Sequence, residues 1–150
     1  MTRSGVLVDN IGRAITINGK ALYFHDYLRF TSANVNIVER CNYTSLINGV
    51  TVNATSNYGR ASFIFPVTSG VRYTVEFDSV VQGGYKRVYF DNKALNPGDG
   101  WNPVYGSIEV GGHKSFTFTS NSSVLFIGIY ASANTTTGSI TLTNVELKES

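Results

Sequence analysis

The chain has 150 residues, of which 42% are hydrophobic and only 15% are charged, and its net charge is +2. This length fits a single domain with a sizeable core. Basic residues are scattered singly, with Lys86-Arg87 as the closest cluster, which argues against a nucleic-acid-binding protein because such proteins usually carry a basic stripe.

The beginning of the chain predicts neither secretion nor membrane insertion. The first nine residues lack the apolar core of about 7–15 residues that a signal peptide contains. No apolar run approaches the roughly 20 residues of a membrane helix. We therefore expect a protein made in the cytoplasm of a host cell, with no signal peptide and no membrane partner.

Residues 1–40 differ in pattern from the rest of the chain. Short strands are predicted at 6–8 and 14–17. The dipeptide Asn18-Gly19 follows the second of them, and Asn-Gly is the strongest short hairpin signal because both residues tolerate a positive φ. We expect this turn to pair residues 14–17 with residues 21–24.

The aromatic residues of segment 21–30 leave two roles open. Tyr23, Phe24, Tyr27 and Phe30 would complete the main core in one reading. In the other they form an arm that docks on another subunit, so that these four side chains anchor a partner. We divide the chain into an N-terminal arm or hairpin at 1–40 and a sandwich domain at 41–150.

From residue 42 onward, short strands alternate with turns rich in Gly, Asn, Pro and Ser. Residues 71–77 are apolar at every second position, which is typical of a half-buried antiparallel strand. Residues 124–130 are apolar on both faces, which predicts a central strand. The strands are expected at 50–52, 61–66, 71–78, 85–91, 106–110, 114–120, 124–130 and 139–147. This pattern predicts an all-β antiparallel β-sandwich of jelly-roll type with an N-terminal extension.

Residues 61–147 resemble the carbohydrate-binding-module-like jelly rolls. Three pieces carry the resemblance: SGVRYTVEFD at 69–78, KSFTFT at 114–119 followed by VLFI at 124–127, and GSITLTNVEL at 138–147. Domains of this kind occur as modules of glycoside hydrolases and on phage and prophage virion proteins. The resemblance implies the sandwich fold and a surface that binds sugars.

The resemblance also bears on metal binding. Modules of this kind often hold a structural calcium ion, bound partly by an acidic residue just before the closing Val. Here the neutral pair Thr143-Asn144 takes that place, so we expect no metal site and no cofactor. Calcium would need oxygen ligands from elsewhere, for which Asp9, Asp78 and Glu146 are the candidates.

Residues suited to catalysis are hard to find. The ten acidic residues are dispersed along the chain, whereas acid–base chemistry needs two converging carboxylates or a positioned His. The single cysteine, Cys41, would need His25 or His113 beside it to act as a nucleophile, and we interpret it as a partly buried apolar residue. The sequence therefore predicts no catalytic residues.

The sequence supports ligand binding better than it supports catalysis. An exposed aromatic ring offers a platform for the apolar face of a sugar, and polar side chains beside it can bind the hydroxyls. Trp101, Asn102 and Tyr105 lie in or next to the turn-rich loop at 97–103. Alternation points Tyr85, Arg87 and Tyr89 outward from a strand. Two alternatives stay open: Trp101 caps the edge of the sandwich, and Tyr89 packs on a neighbouring strand or subunit.

The jelly roll and its arm together predict a non-enzymatic virion accessory protein that decorates a capsid or a tail. Its partners would be other virion proteins in an oligomer or assembly, with surface glycans as additional ligands, and its location would be the extracellular particle. The alternative is a carbohydrate-binding module proper, which binds sugars through exposed aromatic residues.

Overall fold

The computed structural model describes residues 4–6, 13, 16–18, 20–21, 23–25, 27–83, 87–94, 102–132 and 137–150. All regular elements among these residues are β-strands, and none is a helix that could cross a membrane. The strands are β1 (Ser4–Val6), β2 (Thr16–Ile17), β3 (Lys20–Ala21), β4 (Tyr23–His25), β5 (Val35–Glu39), β6 (Cys41–Leu46), β7 (Gly49–Ala54), β8 (Arg60–Pro66), β9 (Arg72–Gly83), β10 (Arg87–Asp91), β11 (Gly106–Glu109), β12 (Gly112–Thr119), β13 (Val124–Tyr130) and β14 (Gly138–Glu149).

Ten of these strands form two antiparallel five-stranded sheets. Sheet I has the order β11-β10-β13-β8-β5, and sheet II has the order β12-β9-β14-β7-β6. Strands far apart in sequence are neighbours, since β9 pairs with both β12 and β14. The predicted all-β antiparallel sandwich is therefore confirmed.

The core lies between the two sheets and follows from the alternation of each strand. In β9, Tyr73, Val75 and Phe77 are at most 1% exposed, and the residues between them point outward. Aromatic rings fill much of the space between the sheets: the ring of Phe90 stacks on the ring of Phe116 with centroids 4.2 Å apart. Each such buried side chain stabilises the fold by about 1.5–3 kcal/mol relative to leaving it in water.

β13 is the middle strand of sheet I, as its apolar faces predict. Leu125, Ile127 and Ile129 point into the core with at most 1% exposure. Phe126 points to the other side of the sheet, and it is also buried, with only 6% of its surface exposed. A middle strand that buries side chains on both sides, as β13 does at Leu125 and Phe126, needs apolar residues at consecutive positions.

The sandwich begins earlier than the predicted boundary at residue 41. Leu28 and Phe30 are buried in the core cluster. The backbone N–H of Leu28 donates to the carbonyl of Val145 (2.8 Å), and β5 is an edge strand of sheet I. β5 is not evident from the sequence because a bulge between Val35 and Ile37 interrupts the alternation of buried and exposed residues in this strand.

The predicted hairpin at Asn18 is confirmed. β2 pairs with β3 through Thr16 opposite Ala21 and Ile17 opposite Lys20, and Asn18 has a φ of +52°. The strand predicted at 6–8 falls mostly outside the described residues. The structure places β1 at Ser4–Val6, where it pairs with β4.

We expect Phe30→Ala to lower the free energy of unfolding by about 3–5 kcal/mol, because it leaves a cavity where an aromatic ring is fully buried. The ring of Phe30 meets those of Phe63 and Phe65 edge-on, each at 5.1 Å. Ile47, which is 81% exposed, supplies the control: Ile47→Ala should change stability by no more than about 0.5 kcal/mol. Urea unfolding of both variants measures the difference, and equal losses would contradict a core role for Phe30.

Candidate functional site

The outer face of sheet I carries polar and aromatic side chains in ordered rows. Because the strands pair in register, residues directly opposite one another form lines that cross the sheet from edge to edge. One such row runs through β11, β10, β13, β8 and β5: Glu109, Arg87, Tyr130, Arg60 and Glu39. The row contains two glutamates at its ends, two arginines inside them and the ring of Tyr130 at its centre.

The next row contains the second tyrosine of this face. Tyr89 lies opposite Ser107 on one side and Gly128 on the other. Gly128 has no side chain, so β13 places no side chain directly opposite the ring of Tyr89. A glycine inside an apolar strand often marks a place where a ligand or another group approaches the backbone closely.

The two tyrosine rings lie side by side. Their centroids are 5.7 Å apart with a tilt of 36°, and both residues are half-buried. We call Arg87, Tyr89, Ser107 and Tyr130 the Tyr89–Tyr130 face. Tyr rings of this kind combine an apolar surface with a hydroxyl that can form hydrogen bonds.

Two arginines flank Tyr130. The guanidinium carbon of Arg60 lies 5.7 Å from the centroid of the Tyr130 ring. Arg60 also forms an ion pair with Glu39, with Nη2 2.9 Å from Oε2, and both side chains are largely buried. On the other side of Tyr130, Arg87 donates from Nε and Nη2 to the hydroxyl of Ser107 at 3.2 and 3.1 Å.

The Tyr89–Tyr130 face has the composition of a sugar-binding surface. The rings offer apolar area for the C–H groups of a pyranose, and Arg87 and Ser107 offer groups that hydrogen-bond to hydroxyls. Ligand sites generally combine a mainly apolar lining with a few polar groups that fix orientation. All four residues lie on paired strands, so their backbones are held in place by the sheet.

Two residues of the predicted ligand patch, Arg87 and Tyr89, lie on this face. Arg87 and Tyr89 point outward next to each other, as predicted, while Val88 and Phe90 are buried. Trp101 and Tyr85 lie outside the described residues. Asn102 is exposed.

Tyr105 does not belong to the Tyr89–Tyr130 face. Its ring lies 4.6 Å from the ring of Phe118, and it packs against the core at the edge of the sandwich. Its hydroxyl donates to Oδ1 of Asn121 at 2.9 Å. Tyr105 was predicted as a ligand residue because it is near Trp101 in sequence, but the chain turns its ring inward before β11 begins.

Tyr130, Ser107 and Gly128 complete the face, and the sequence did not single them out. Tyr130 is about 40 residues from Arg87 along the chain, yet the two lie directly opposite each other. Alternation shows that Tyr130 points away from Leu125, Ile127 and Ile129, but it does not show which strand is the neighbour. Gly128 in the middle of an apolar strand was the one local signal.

The four predicted anchor residues have different surroundings. Phe30 is fully buried in the core of its own chain, which is the alternative that the sequence left open, so its ring is not available to a partner. Tyr27 is half-buried. The side chains of Tyr23 and Phe24 lie outside the described residues, and their anchoring role stays a prediction.

The outer face of sheet II carries a network of charges around His113. Its Nδ1 lies 2.8 Å from Asp78 Oδ1, and its Nε2 lies 2.8 Å from Glu76 Oε1. Hydrogen bonds to Asp78 and then to Glu76 raise the pKa of His113 above its ordinary value of 6.5. Lys148 lies 3.1 Å from Glu76 and 3.3 Å from Glu146.

These contacts do not fit a calcium ion. Asp78 and Glu146, two of the candidate ligands, are already held by His113 and Lys148. The amide of Asn144 donates to Asp78 Oδ2 at 3.3 Å and accepts a hydrogen bond from Asn48. Asp9 lies outside the described residues, and in the described ranges there is no group of three or more His, Cys, Asp or Glu side chains that could hold a metal ion.

Cys41 is half-buried, as predicted. Its thiol donates to the carbonyl of Arg60 at 3.1 Å, and burial raises the pKa of the thiol. A raised pKa keeps the sulfur protonated and weakly nucleophilic. His113, one of its two candidate partners, is occupied by Glu76 and Asp78.

Comparison with solved structures shows the fold. One similar structure is the xylan-binding module CBM86 from Roseburia intestinalis, which is described as having low affinity. It superposes with a TM-score of 0.50 at 13% identity, and the match covers 81% of this chain and 95% of the module. A CBM4 structure gives a TM-score of 0.49 at 16% identity over 74% of this chain and 77% of its own. The C-terminal CBM6 of a laminarinase, LamC from Zobellia galactanivorans, gives 0.44 at 17% identity over 77% and 98%.

Sequence comparison adds no family. No protein-family model matches the chain, and no curated protein matches it. The likeness to CBM86 therefore establishes the sandwich fold alone.

The His113 network predicts a stability that depends on pH. The pKa of Glu76 is lowered by its hydrogen bonds to Lys148 and His113, and the pKa of Asp78 by those to His113 and Asn144. Because the pKa of His113 is raised, its contribution is complete below about pH 6.5 and is lost as the pH rises through its folded-state pKa. The carboxylates contribute above their ordinary values of 4.5 and 3.8 and lose that contribution in acid.

His113→Gln should therefore destabilise the protein more at about pH 5.5 than at about pH 9. Urea unfolding of both proteins at the two pH values measures this difference. The effect should be small because the groups are exposed and screened by solvent. A loss of stability that is the same at both pH values would contradict an ionic role for His113.

Proposed function

We propose that this chain is a non-enzymatic carbohydrate-binding module that holds a polysaccharide on the Tyr89–Tyr130 face. The observation that carries this proposal is the pair of half-buried tyrosine rings, 5.7 Å apart, with a guanidinium and a hydroxyl beside them on one regular sheet face. The fold shared with a xylan-binding module supports the same class of ligand. The resemblance of residues 61–147 to carbohydrate-binding-module-like jelly rolls points the same way.

The positions of the carboxylates on this side of sheet I favour binding over hydrolysis. Glu39 and Glu109 lie on opposite edge strands of the five-stranded sheet. Neighbouring strands are about 4.8 Å apart, so these two residues are separated by about 19 Å. Glycoside hydrolysis needs carboxyl groups about 5–9.5 Å apart.

Asp91 does not form such a pair either. It is four residues further along β10 than Arg87, or about 13 Å, and its side chain is fully buried. Its Oδ1 accepts hydrogen bonds from the backbone N–H groups of Asn92 and Val104 at 2.7 and 3.3 Å. A buried carboxylate that orders a loop is not placed to protonate a glycosidic oxygen.

The virion location stays a prediction. It depends on the analogy between the N-terminal arm and the arms of virion proteins, and on no contact of the described residues. A module that decorates a capsid or a tail would bind glycans through the same face. Mass spectrometry of purified virions tests this prediction, and absence of the chain from the virions would refute it.

We expect Tyr89→Ala and Tyr130→Ala each to weaken binding to the best polysaccharide ligand by about 5–30-fold. Removing a ring that covers about 50–80 Å² of apolar sugar surface loses about 1–2 kcal/mol. Val80→Ala is the control, because Val80 is 62% exposed and lies on the outer face of sheet II. Its affinity should equal that of the wild type.

A glycan array followed by affinity electrophoresis on the positive polysaccharides measures these changes. Circular dichroism and thermal unfolding of each variant show that the fold is intact. Absence of binding by the wild-type protein to any glycan on the array at millimolar concentration would contradict the proposal. Equal losses in all three variants would place the binding site elsewhere.

A further inference from the structure

The two arginines beside Tyr130 differ in their charge partners. Arg60 is matched by Glu39 at 2.9 Å. Arg87 donates only to the neutral hydroxyl of Ser107, and within the described part of the chain no carboxylate forms an ion pair with it. The Tyr89–Tyr130 face therefore carries one guanidinium whose charge is not balanced by a contact.

Glu109 is the carboxylate closest to Arg87 in register, directly across β10 and β11. It is exposed, and the guanidinium is turned toward Ser107 instead. A half-buried guanidinium without a counter-ion loses hydration without gaining an opposite charge. Such a group gains most from an anion that arrives from outside.

We propose that this face selects acidic polysaccharides, with Arg87 binding the carboxylate of a uronic acid residue. The inference rests on the proposed function, since it assumes that a sugar ring lies on the tyrosines. It names the class of sugar that the same face prefers.

The geometry of the sheet places the two contacts at a suitable separation. Arg87 and Tyr130 are directly opposite in register, so their Cβ atoms are about 4.5–5.5 Å apart. The carboxylate of a uronic acid leaves the edge of the pyranose ring. A sugar whose C–H face covers Tyr130 therefore extends its carboxylate toward the neighbouring strand, where Arg87 lies.

Arginine is well suited to this contact. Its planar fork can donate two parallel N–H bonds to one carboxylate, which adds both energy and orientation. Ser107 accepts from Arg87 and still has its own hydroxyl proton to donate. The two side chains together offer donors to both oxygens of the carboxylate.

The experiment compares polygalacturonate, alginate and glucuronoxylan with the carboxyl-reduced form of each, and includes a sulfated galactan. Affinity electrophoresis or calorimetry gives the ratio of the affinities for the acidic and the reduced form. In the wild-type protein we expect this ratio to be at least about tenfold for the best pair. It should fall as salt rises, because the contact is between charges near the surface.

Three variants isolate the role of Arg87. Arg87→Gln should bring the ratio to about one, and Arg87→Lys should give an intermediate value because it keeps the charge but loses the fork. Glu109→Gln should raise the ratio, because it removes the neighbouring negative charge. Thermal unfolding shows whether each variant is folded. If Arg87→Gln does not fold, Arg87→Lys still tests the role of the guanidinium.

The outcomes separate this inference from the proposed function. Equal binding of acidic and reduced forms, still weakened by Tyr130→Ala, would overturn the inference and leave the proposed function intact. Stronger binding to the sulfated galactan than to any carboxylated polymer would also overturn it. Binding to none of the polysaccharides would refute both.

Discussion

The register of sheet I is the constraint on which the rest of the structure depends. Because Arg87 lies opposite Tyr130 and Tyr89 lies opposite Gly128, Val88 and Phe90 must point into the core. A slip of one residue would exchange the two sets and place apolar side chains on the outer face. The same hydrogen bonds therefore stabilise the core and bring together the side chains of the proposed ligand-binding face.

This arrangement gives a rigid face. Its ring pair, its arginine and Ser107 lie on three adjacent strands, β11, β10 and β13, and Phe90 beneath them stacks on Phe116 of sheet II. A surface that is already ordered loses little conformational entropy when a flexible polysaccharide binds. Most of the conformational entropy lost in the proposed complex would then be that of the polysaccharide.

Local pattern predicted much of the fold. The alternation of β9 and the outward direction of Arg87 and Tyr89 follow from a period of two. The central place of β13 follows from its continuous apolar run, and the turn at Asn18 follows from the Asn-Gly dipeptide. Long-range pairing could not be predicted, so Tyr130 was not placed beside Arg87. The edge strands β5 and β6 do not show in the sequence pattern because β5 contains a bulge and β6 is mostly polar on its exposed side. Without these strands, the sequence alone leaves Phe30 open between a core residue and an arm residue.

Amide chemical shifts recorded during titration with an acidic oligosaccharide test the central claim most directly. If sheet I carries the binding face, the largest shifts will fall on Arg87, Tyr89, Ser107, Gly128 and Tyr130, in three strands that only the fold makes neighbours. Shifts confined to the outer face of sheet II around His113, or to the sandwich edge around Tyr105 and Asn121, would contradict it.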